Sequence, residues 1–523
     1  MKIKYILFLF ICATALSGCI DKLDIEKHGN VGSQDDFYET DEEVLQASAA
    51  LYDQWYAGYY DWYFLKNLLA DDVWCGGGGR GDNAFYEQLN EYSFGTENST
   101  VESVYSNMYS IIYCANLIIE KVVPDTDVKK RVIAEAKFFR AYAHFELVTL
   151  WGNAPVIDHL LEMDEYHQPN GIPAEAWALI EQDLKEAIDS DALPSKSDPY
   201  DQETGIRITK ETAQSYLGKA YVFQEKWPDA ATMLDNVINS GKYELYTGSY
   251  DNLLHAVADN CSESILEGQI RNDPTNAWAR YHMQHIMVAW RFEFMDASNI
   301  HSGYDDLVTS TGYGFFNPRK ELYDAFTERE GADGYRLTQT MLTYEQVKNN
   351  VGMTIVDGKA LYGHQGYFMW KNRSLYSDLI YYNAFNVLQH INNRVMRYAE
   401  VLLLAAEAHL RNGNTGKATE YVNQIRSRAQ LTPLGSVSMD DIKVEKRLEL
   451  CAESVRFQDL VRWGDAPAAL ATQGKEVYEF NGTGATVRYT NSNFGFQSGK
   501  HELLPIPSTE INVNPNIEQN PGW

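Results

Sequence analysis

The 523-residue sequence is poor in cysteine, with six in all and no Cys-x-x-Cys pair. Cys75, Cys114, Cys261 and Cys451 are too scattered for a disulfide framework and lack zinc-site spacing, so they read as buried free thiols. Past the first twenty residues nothing approaches 18 consecutive apolar residues, which excludes a later membrane-spanning helix. Basic residues are outnumbered, 44 Lys and Arg against 73 Asp and Glu, giving a formal charge of −29. Such a balance repels polyphosphate and argues against nucleic acid as a partner. It keeps the surface soluble while tolerating neutral ligands. Catalytic signatures are missing too. The 12 histidines include no His-Glu-x-x-His, and there is no Gly-x-Ser-x-Gly elbow. The glycines Gly76 to Gly79 are not followed by Gly-Lys-Ser/Thr, so they are no phosphate loop. No EF-hand-like spacing is present, and no cofactor or metal is expected.

What is present begins at the N-terminus. Lys2 and Lys4 precede an apolar stretch from Tyr5 to Leu16, too short to cross a bilayer but suited to a secretory signal. The run Leu16-Ser17-Gly18-Cys19 resembles a bacterial lipobox. Residues 1–18 are therefore expected to be a lipoprotein signal peptide, with Cys19 the lipidated residue and the only membrane anchor.

Aromatic residues are abundant: 35 Tyr, 21 Phe and 11 Trp. Their spacing is mostly helical. Ala134 to Phe145 alternates small and aromatic residues three and four apart. Thr212 to Tyr243 sets Leu217-Gly218-x-x-Tyr221 before Trp227, Ala230, Ala231, Leu234, Val237 and Ile238. Met396 to Ala429 repeats the arrangement, with Ala405, Ala406 and Ala408, the turn Asn412-Gly413-Asn414, then Ala418, Val422 and Ile425. Small residues where two helices cross resemble the tetratricopeptide pattern. Residues 71–100 and 245–395 differ: they are rich in Gly, Asn, Tyr and Trp, with turn signals and few sustained helices. Glu476–Phe480 and Ala485–Tyr489 alternate with period two, as a small hairpin does. The expected fold is mainly α, a tetratricopeptide-like helical-hairpin scaffold with long irregular insertions and minor β-hairpins. Long loops on a rigid frame are where binding usually sits.

Four blocks carry a family resemblance. The C-terminus reads Glu502-Leu-Leu-Pro-Ile-Pro-Ser-Thr-Glu-Ile511, then Asn514-Pro515-Asn516 and Gln519-Asn520-Pro521-Gly522-Trp523. Upstream stand Lys446-Arg-Leu-Glu-Leu450 with Glu453, Arg456-Phe457, Asp459-Leu460 and Arg462-Trp463-Gly464. Arg397-Tyr-Ala-Glu with Glu407, and Arg140-Ala-Tyr-Ala with Trp151-Gly152-x-x-Pro155, complete the pattern. Together with the lipobox these resemble the SusD/RagB family of outer-membrane lipoproteins. The resemblance implies a glycan-binding surface protein, an oligosaccharide or polysaccharide ligand, and a SusC-like TonB-dependent transporter as partner. It divides the chain into residues 1–18, an N-terminal helical part 19–244, and a C-terminal part 245–523 holding the ligand-binding insertion. A surface glycoside hydrolase and a peptide-binding member of the same fold are the alternatives. Glu449, Glu453, Arg456, Asp459 and Arg462 are spaced to pair along one helix face, a scaffold role. Ser508 is expected to cap a short helical turn.

Four consecutive glycines cannot hold a helix, so Trp74 in Asp71-Asp72-Val73-Trp74-Cys75 is expected on an exposed, mobile loop. Trp278 and Trp290 fall in the long insertion near Asn272, Arg280 and Arg291, with Tyr313, Phe315 and Phe316 following. Trp151, Trp177, Trp227 and Trp463 stand in helical contexts and read as core, while Trp55, Trp62 and Trp370 are consistent with either. Sugar rings offer an apolar face of C–H groups, which flat aromatics match, and a fringe of hydroxyls for Asp, Asn and Arg. Half-burying three aromatics contributes about 3–5 kcal/mol from area alone, which with a few hydrogen bonds suits millimolar to micromolar binding. The resemblance favours Trp74, Trp278 and Trp290 as the glycan platform, with Asp72 a polar candidate and no catalytic residue.

Overall fold

The computed structural model describes residues 37–275, 283–380 and 388–523. Cys19, the signal segment and Trp278 lie outside the described residues. Helix starts follow capping chemistry. Asp41–Leu68 opens at Thr40, whose hydroxyl accepts from the Glu43 N–H while the Glu43 carboxylate accepts from the Thr40 N–H, satisfying two otherwise orphaned donors. Asn98, Thr126 and Thr209 cap Ser99–Lys121, Asp127–Trp151 and Lys210–Phe223 one-sidedly, each side-chain oxygen accepting from first-turn N–H groups.

The helical hairpins fall where the small-residue spacing places them: Lys210–Phe223 with Trp227–Asn239, and Tyr398–Arg411 with Thr415–Arg428. Gly218 shows why. A Cβ there would lie 2.5 Å from Leu234 Cγ, so any larger residue forces the two helices apart. Ala405, Ala406, Ala408 and Ala418 are fully buried along the second crossing. The expected hairpin also forms, Glu476–Phe480 antiparallel to Ala485–Thr490. Ser508 opens the helix Ser508–Val513 but makes no cap, because Pro507 occupies the N-cap position and no side chain bonds the first turn.

The long insertion is tied at a neck. Strand Ser264–Gly268 pairs antiparallel with Asn393–Arg397, Gly268 opposite Asn393, so the chain leaves and re-enters the frame at one place. The helix Tyr398–Arg411 starts directly from the returning strand. Within the insertion, Trp290, Phe292, Met295, Leu342, Phe368 and Trp370 form a core separate from that of the helical frame, closed by Phe480 of the hairpin.

Frame, neck and insertion meet in a buried ionic network. Glu449, at the end of helix Met439–Leu450, pairs with Arg336 of the insertion helix Tyr335–Thr340 at 3.1 Å and with Arg397 of the neck at 3.2 Å. Arg428 pairs with Glu263 at 2.9 Å and also with Glu449. Arg336 is 2.7 Å from both Glu330 and Glu445, and Arg426 is 3.3 Å from Glu445. Glu453 pairs with Arg397 at 2.6 Å and with Lys371. Arg336, Lys371, Arg397, Arg426 and Arg428 thus balance Glu263, Glu330, Glu445, Glu449 and Glu453, so no net charge is left in the dry interior. The expectation that the Glu449–Arg462 charges pair along one helix face is corrected. One helix ends at Leu450 and the next starts at Arg456, and Glu449 and Glu453 reach across to other elements. Only Asp459 and Arg462, 2.9 Å apart, pair along their own turn.

Burial pushes the Glu453 carboxyl up, but Arg397 and Lys371 outweigh it and hold it at about 2 against an ordinary 4.5. The unfolded chain therefore takes up this proton first on acidification. The resulting stability is complete above pH 4.5 and lost as pH falls towards 2, about 3 kcal/mol at full strength. Urea denaturation at successive pH values is expected to show the midpoint falling through that window, with Glu453→Gln flattening part of the slope. A midpoint level from pH 5 to 2.5 contradicts the assignment.

Candidate ligand-binding site

The buried segment Trp370-Lys371-Asn372-Arg373 runs between the ionic network and a cavity. Lys371 is completely buried; its Nζ donates to the Cys451 carbonyl at 3.2 Å and to the Glu449 carbonyl at 3.4 Å, and bonds Glu453. Burial alone pushes its pKa down, but Glu453 and its neighbours hold it above the usual lysine value. With Lys371 pinned inward, its neighbours Trp370 and Arg373 face a cavity of about 990 Å³. That volume lies at the upper end of small-molecule sites.

Trp370 and Tyr304 form the aromatic wall, with centroids 5.8 Å apart and planes at 73°. Trp370 is backed by Trp290 at 5.9 Å, and the Arg373 guanidinium stacks 4.3 Å from its ring centroid. Around this wall stand Asp251, Asn252, His255, Asp306, Gln339, Ser377, Asp378 and His390. Arg373 donates to Asp251 at 2.9 Å and to His255 Nε2 at 3.3 Å. Since a guanidinium only donates, His255 Nε2 accepts and Nδ1 carries the proton given to Asp378, 2.7 Å away. Burial pushes the Asp378 carboxyl up, but His255 and the Ala256 N–H pull it below its ordinary value. At the rim the Asp306 carboxylate accepts from the Ser377 N–H at 2.9 Å and its hydroxyl at 2.6 Å. Chemically the cavity pairs a flat apolar face with a fringe of acceptors and donors, the complement of a sugar ring.

A second, smaller groove of about 320 Å³ lies at the glycine loop, lined by Gly78, Gly79, Arg80, Tyr362, Glu479, Arg488 and Tyr489. Gly76 and Gly77 adopt positive φ, and a Cβ on Gly76 would lie 2.3 Å from the Gly314 carbonyl oxygen. Only glycine permits that approach. Arg80 bonds Glu91 and covers one face of Tyr489 at 4.3 Å.

The sequence-predicted tryptophans are placed differently from expectation. Trp74 is on strand Val73–Gly76, paired with Phe315–Pro318, and only 5% exposed. Its indole N–H donates to Gln365 Oε1 at 2.9 Å and Arg319 lies 3.7 Å from its ring centroid. The exposed-loop expectation is thus corrected: Gly76 closes the strand, the other three glycines follow it, and Trp74 is buried. Trp290 is also 5% exposed, its N–H donating to the Met369 carbonyl at 2.9 Å. Asp72 is buried against Arg447, which donates to it at 2.8 Å. The two loop regions do come together, Gly77 bonding Gly314 and Arg291 lying 3.7 Å from Asp82, but among the described residues no bare tryptophan face lies between them. Sequence reasoning missed Tyr304, Asp251, Asp306 and Arg373, and left Trp370 undecided. The available signal was Trp370 itself, an insertion tryptophan followed at once by the basic residues Lys371 and Arg373.

Comparison with known proteins agrees across the whole chain. Residues 262–523 match the family model described as the SusD family, and residues 41–222 match one described as starch-binding associating with outer membrane. A SusD-like protein of Bacteroides ovatus is 26% identical over 486 residues, covering 87% of this chain and 82% of that one. The starch-binding protein SusD of Bacteroides thetaiotaomicron is 24% identical over the full length of both. Among solved structures, a laminarin-binding SusD-like protein superposes with a TM-score of 0.77 at 28% identity, covering 92% of this chain and 99% of that one. Surface glycan-binding protein A of Bacteroides thetaiotaomicron, solved with laminarihexaose, superposes at 0.73 with 21% identity over 92% and 99% of the chains, a likeness of fold.

Removing the inward anchor of the Trp370 segment is expected to be costly. Lys371→Met leaves the Glu449 and Cys451 carbonyls and part of Glu453 without their cation, a loss of about 3 kcal/mol or more. Chemical denaturation measures it; an unchanged midpoint contradicts the anchoring role.

Proposed function

The chain belongs to the SusD family, and from that premise we propose that it is a cell-surface glycan-binding lipoprotein that captures oligosaccharide in the Trp370 cavity. The observation that carries this reading is the wall of Trp370 and Tyr304 set within reach of Asp306, Ser377, Gln339 and His390. Trp370 is buried and presents only the edge that borders the cavity, while Tyr304 is partly exposed. The remaining apolar area contributes about 1–2 kcal/mol, and with a few hydrogen bonds this suits weak, millimolar-range binding. Weak binding suits a protein that passes its ligand on.

The recipient we propose is a SusC-like TonB-dependent transporter, and the anchor a lipid on Cys19; both rest on the family resemblance and the lipobox. No helix among the described residues is long and apolar enough to cross a membrane. Trp278, outside the described residues, stays a proposed glycan contact. Trp290 is proposed to act from behind, backing Trp370, and Trp74 and Asp72 to hold the strand that carries the glycine loop. We read the cavity as binding without cleavage; Asp378, engaged by His255 and held below its ordinary value, is not suited to donate a proton.

Affinity electrophoresis across a panel of polysaccharides tests the site. Retardation by at least one glycan is expected, weakened about tenfold by Tyr304→Ala and by Trp370→Ala and unchanged by Tyr489→Ala. Tyr304 is half exposed, so its variant separates lost binding from lost folding. Binding that survives Tyr304→Ala and disappears in Tyr489→Ala moves the site to the glycine-loop groove. Steady release of smaller sugars from any polysaccharide overturns the non-catalytic reading.

A further inference from the structure

The charge around the cavity narrows the ligand class, and this step rests on the reading of the cavity as the glycan site. Three carboxylates line it, those of Asp251, Asp306 and Asp378, with Arg373 as the cation on the same wall. Arg373 is spent. It is buried, stacked on Trp370, and bonded to Asp251, the Trp370 carbonyl and His255. Lys371, the adjoining cation, is turned the other way onto Glu453 and the Cys451 carbonyl. Asp306 is different from the other two acids. It stands exposed at the rim, and its hydrogen bonds come from the neutral Ser377, so its charge is not cancelled.

We infer that the cavity selects uncharged glycans and rejects polyanionic ones, such as uronate-containing or sulfated polysaccharides, with Asp306 as the residue that sets the discrimination. The argument is one of unmatched charge. A carboxylate or sulfate brought into a cavity already holding excess negative charge meets repulsion that the engaged Arg373 does not relieve. The repulsion adds to that of a chain with formal charge −29, whose field is long-ranged at low salt and short-ranged at high salt. Hydroxyl groups meet no such penalty. Carboxylates accept two hydroxyl donors each and are well suited to adjacent equatorial pairs.

The test holds the backbone constant and changes only charge. Hydroxyethyl and carboxymethyl derivatives of one glucan, with substituents of similar size, are compared by affinity electrophoresis and by isothermal titration at about 20 mM and 500 mM salt. The carboxymethyl form is expected to bind at least about tenfold more weakly at low salt, with the gap narrowing at high salt. Asp306→Asn is expected to shrink the ratio between the two forms by severalfold at low salt. Equal or tighter binding of the carboxymethyl form overturns the inference while leaving the cavity as a glycan site. A low-salt gap that Asp306→Asn leaves unchanged overturns the role given to Asp306. Binding of neither derivative, nor of any other glycan in the panel, overturns the parent reading and this inference with it.

Discussion

The fully buried ammonium of Lys371 is the constraint on which the site depends. It sits between Trp370 and Arg373, and its bonds to Glu453 and to the carbonyls of Glu449 and Cys451 draw this segment inward. Trp370 is then held at the edge of the insertion core, packed on Trp290 and Phe368 and bordering the cavity on its other side. A buried lysine is tolerated only where opposite charge is close, and that charge comes from the loop following helix Met439–Leu450. The same helix end supplies Glu449, which ties Arg336, Arg397 and Arg428 together. The helical frame therefore holds the insertion through charge, the neck strands through backbone pairing, and the cavity forms where the two meet.

This explains why residues that read as structural in the sequence are functional at one remove. Glu449, Glu453 and Arg397 belong to blocks that resemble the SusD/RagB family, and none of them lines the cavity. In the proposed reading their effect on binding would pass through Lys371. A substitution among them changes stability first and binding as a consequence. Tyr304 and Asp306 have the reverse character, since they are partly or fully exposed at the cavity where we propose the ligand sits, and Trp370 joins that cavity to the core behind it.

The frame was legible because helix packing leaves a periodic trace. Gly218 against Leu234, the alanines of Tyr398–Arg411 and the Asn412-Gly413-Asn414 turn each imposed a residue type that could be read directly. The Glu476–Tyr489 hairpin was legible for the same reason, with period two in place of 3.6. The site was not. Trp74 precedes four glycines, and local sequence suggested a loop, but pairing with Phe315–Pro318, more than two hundred residues away, made it a buried strand. Long-range β pairing and ion pairs between elements leave no local signature. That is also why Glu449 and Glu453 suggested a single helix face. Trp370 could be suspected, while Tyr304 and Asp306 are brought to it only by the folded insertion.

A crystal structure of the protein with a neutral oligosaccharide tests the central claim most directly. The account predicts sugar density stacked against Trp370 and Tyr304, with hydroxyls on Asp306 and Ser377 and the Lys371–Glu453 pair intact beneath. Sugar seated in the glycine-loop groove against Tyr489, with the Trp370 cavity holding only solvent, would contradict it.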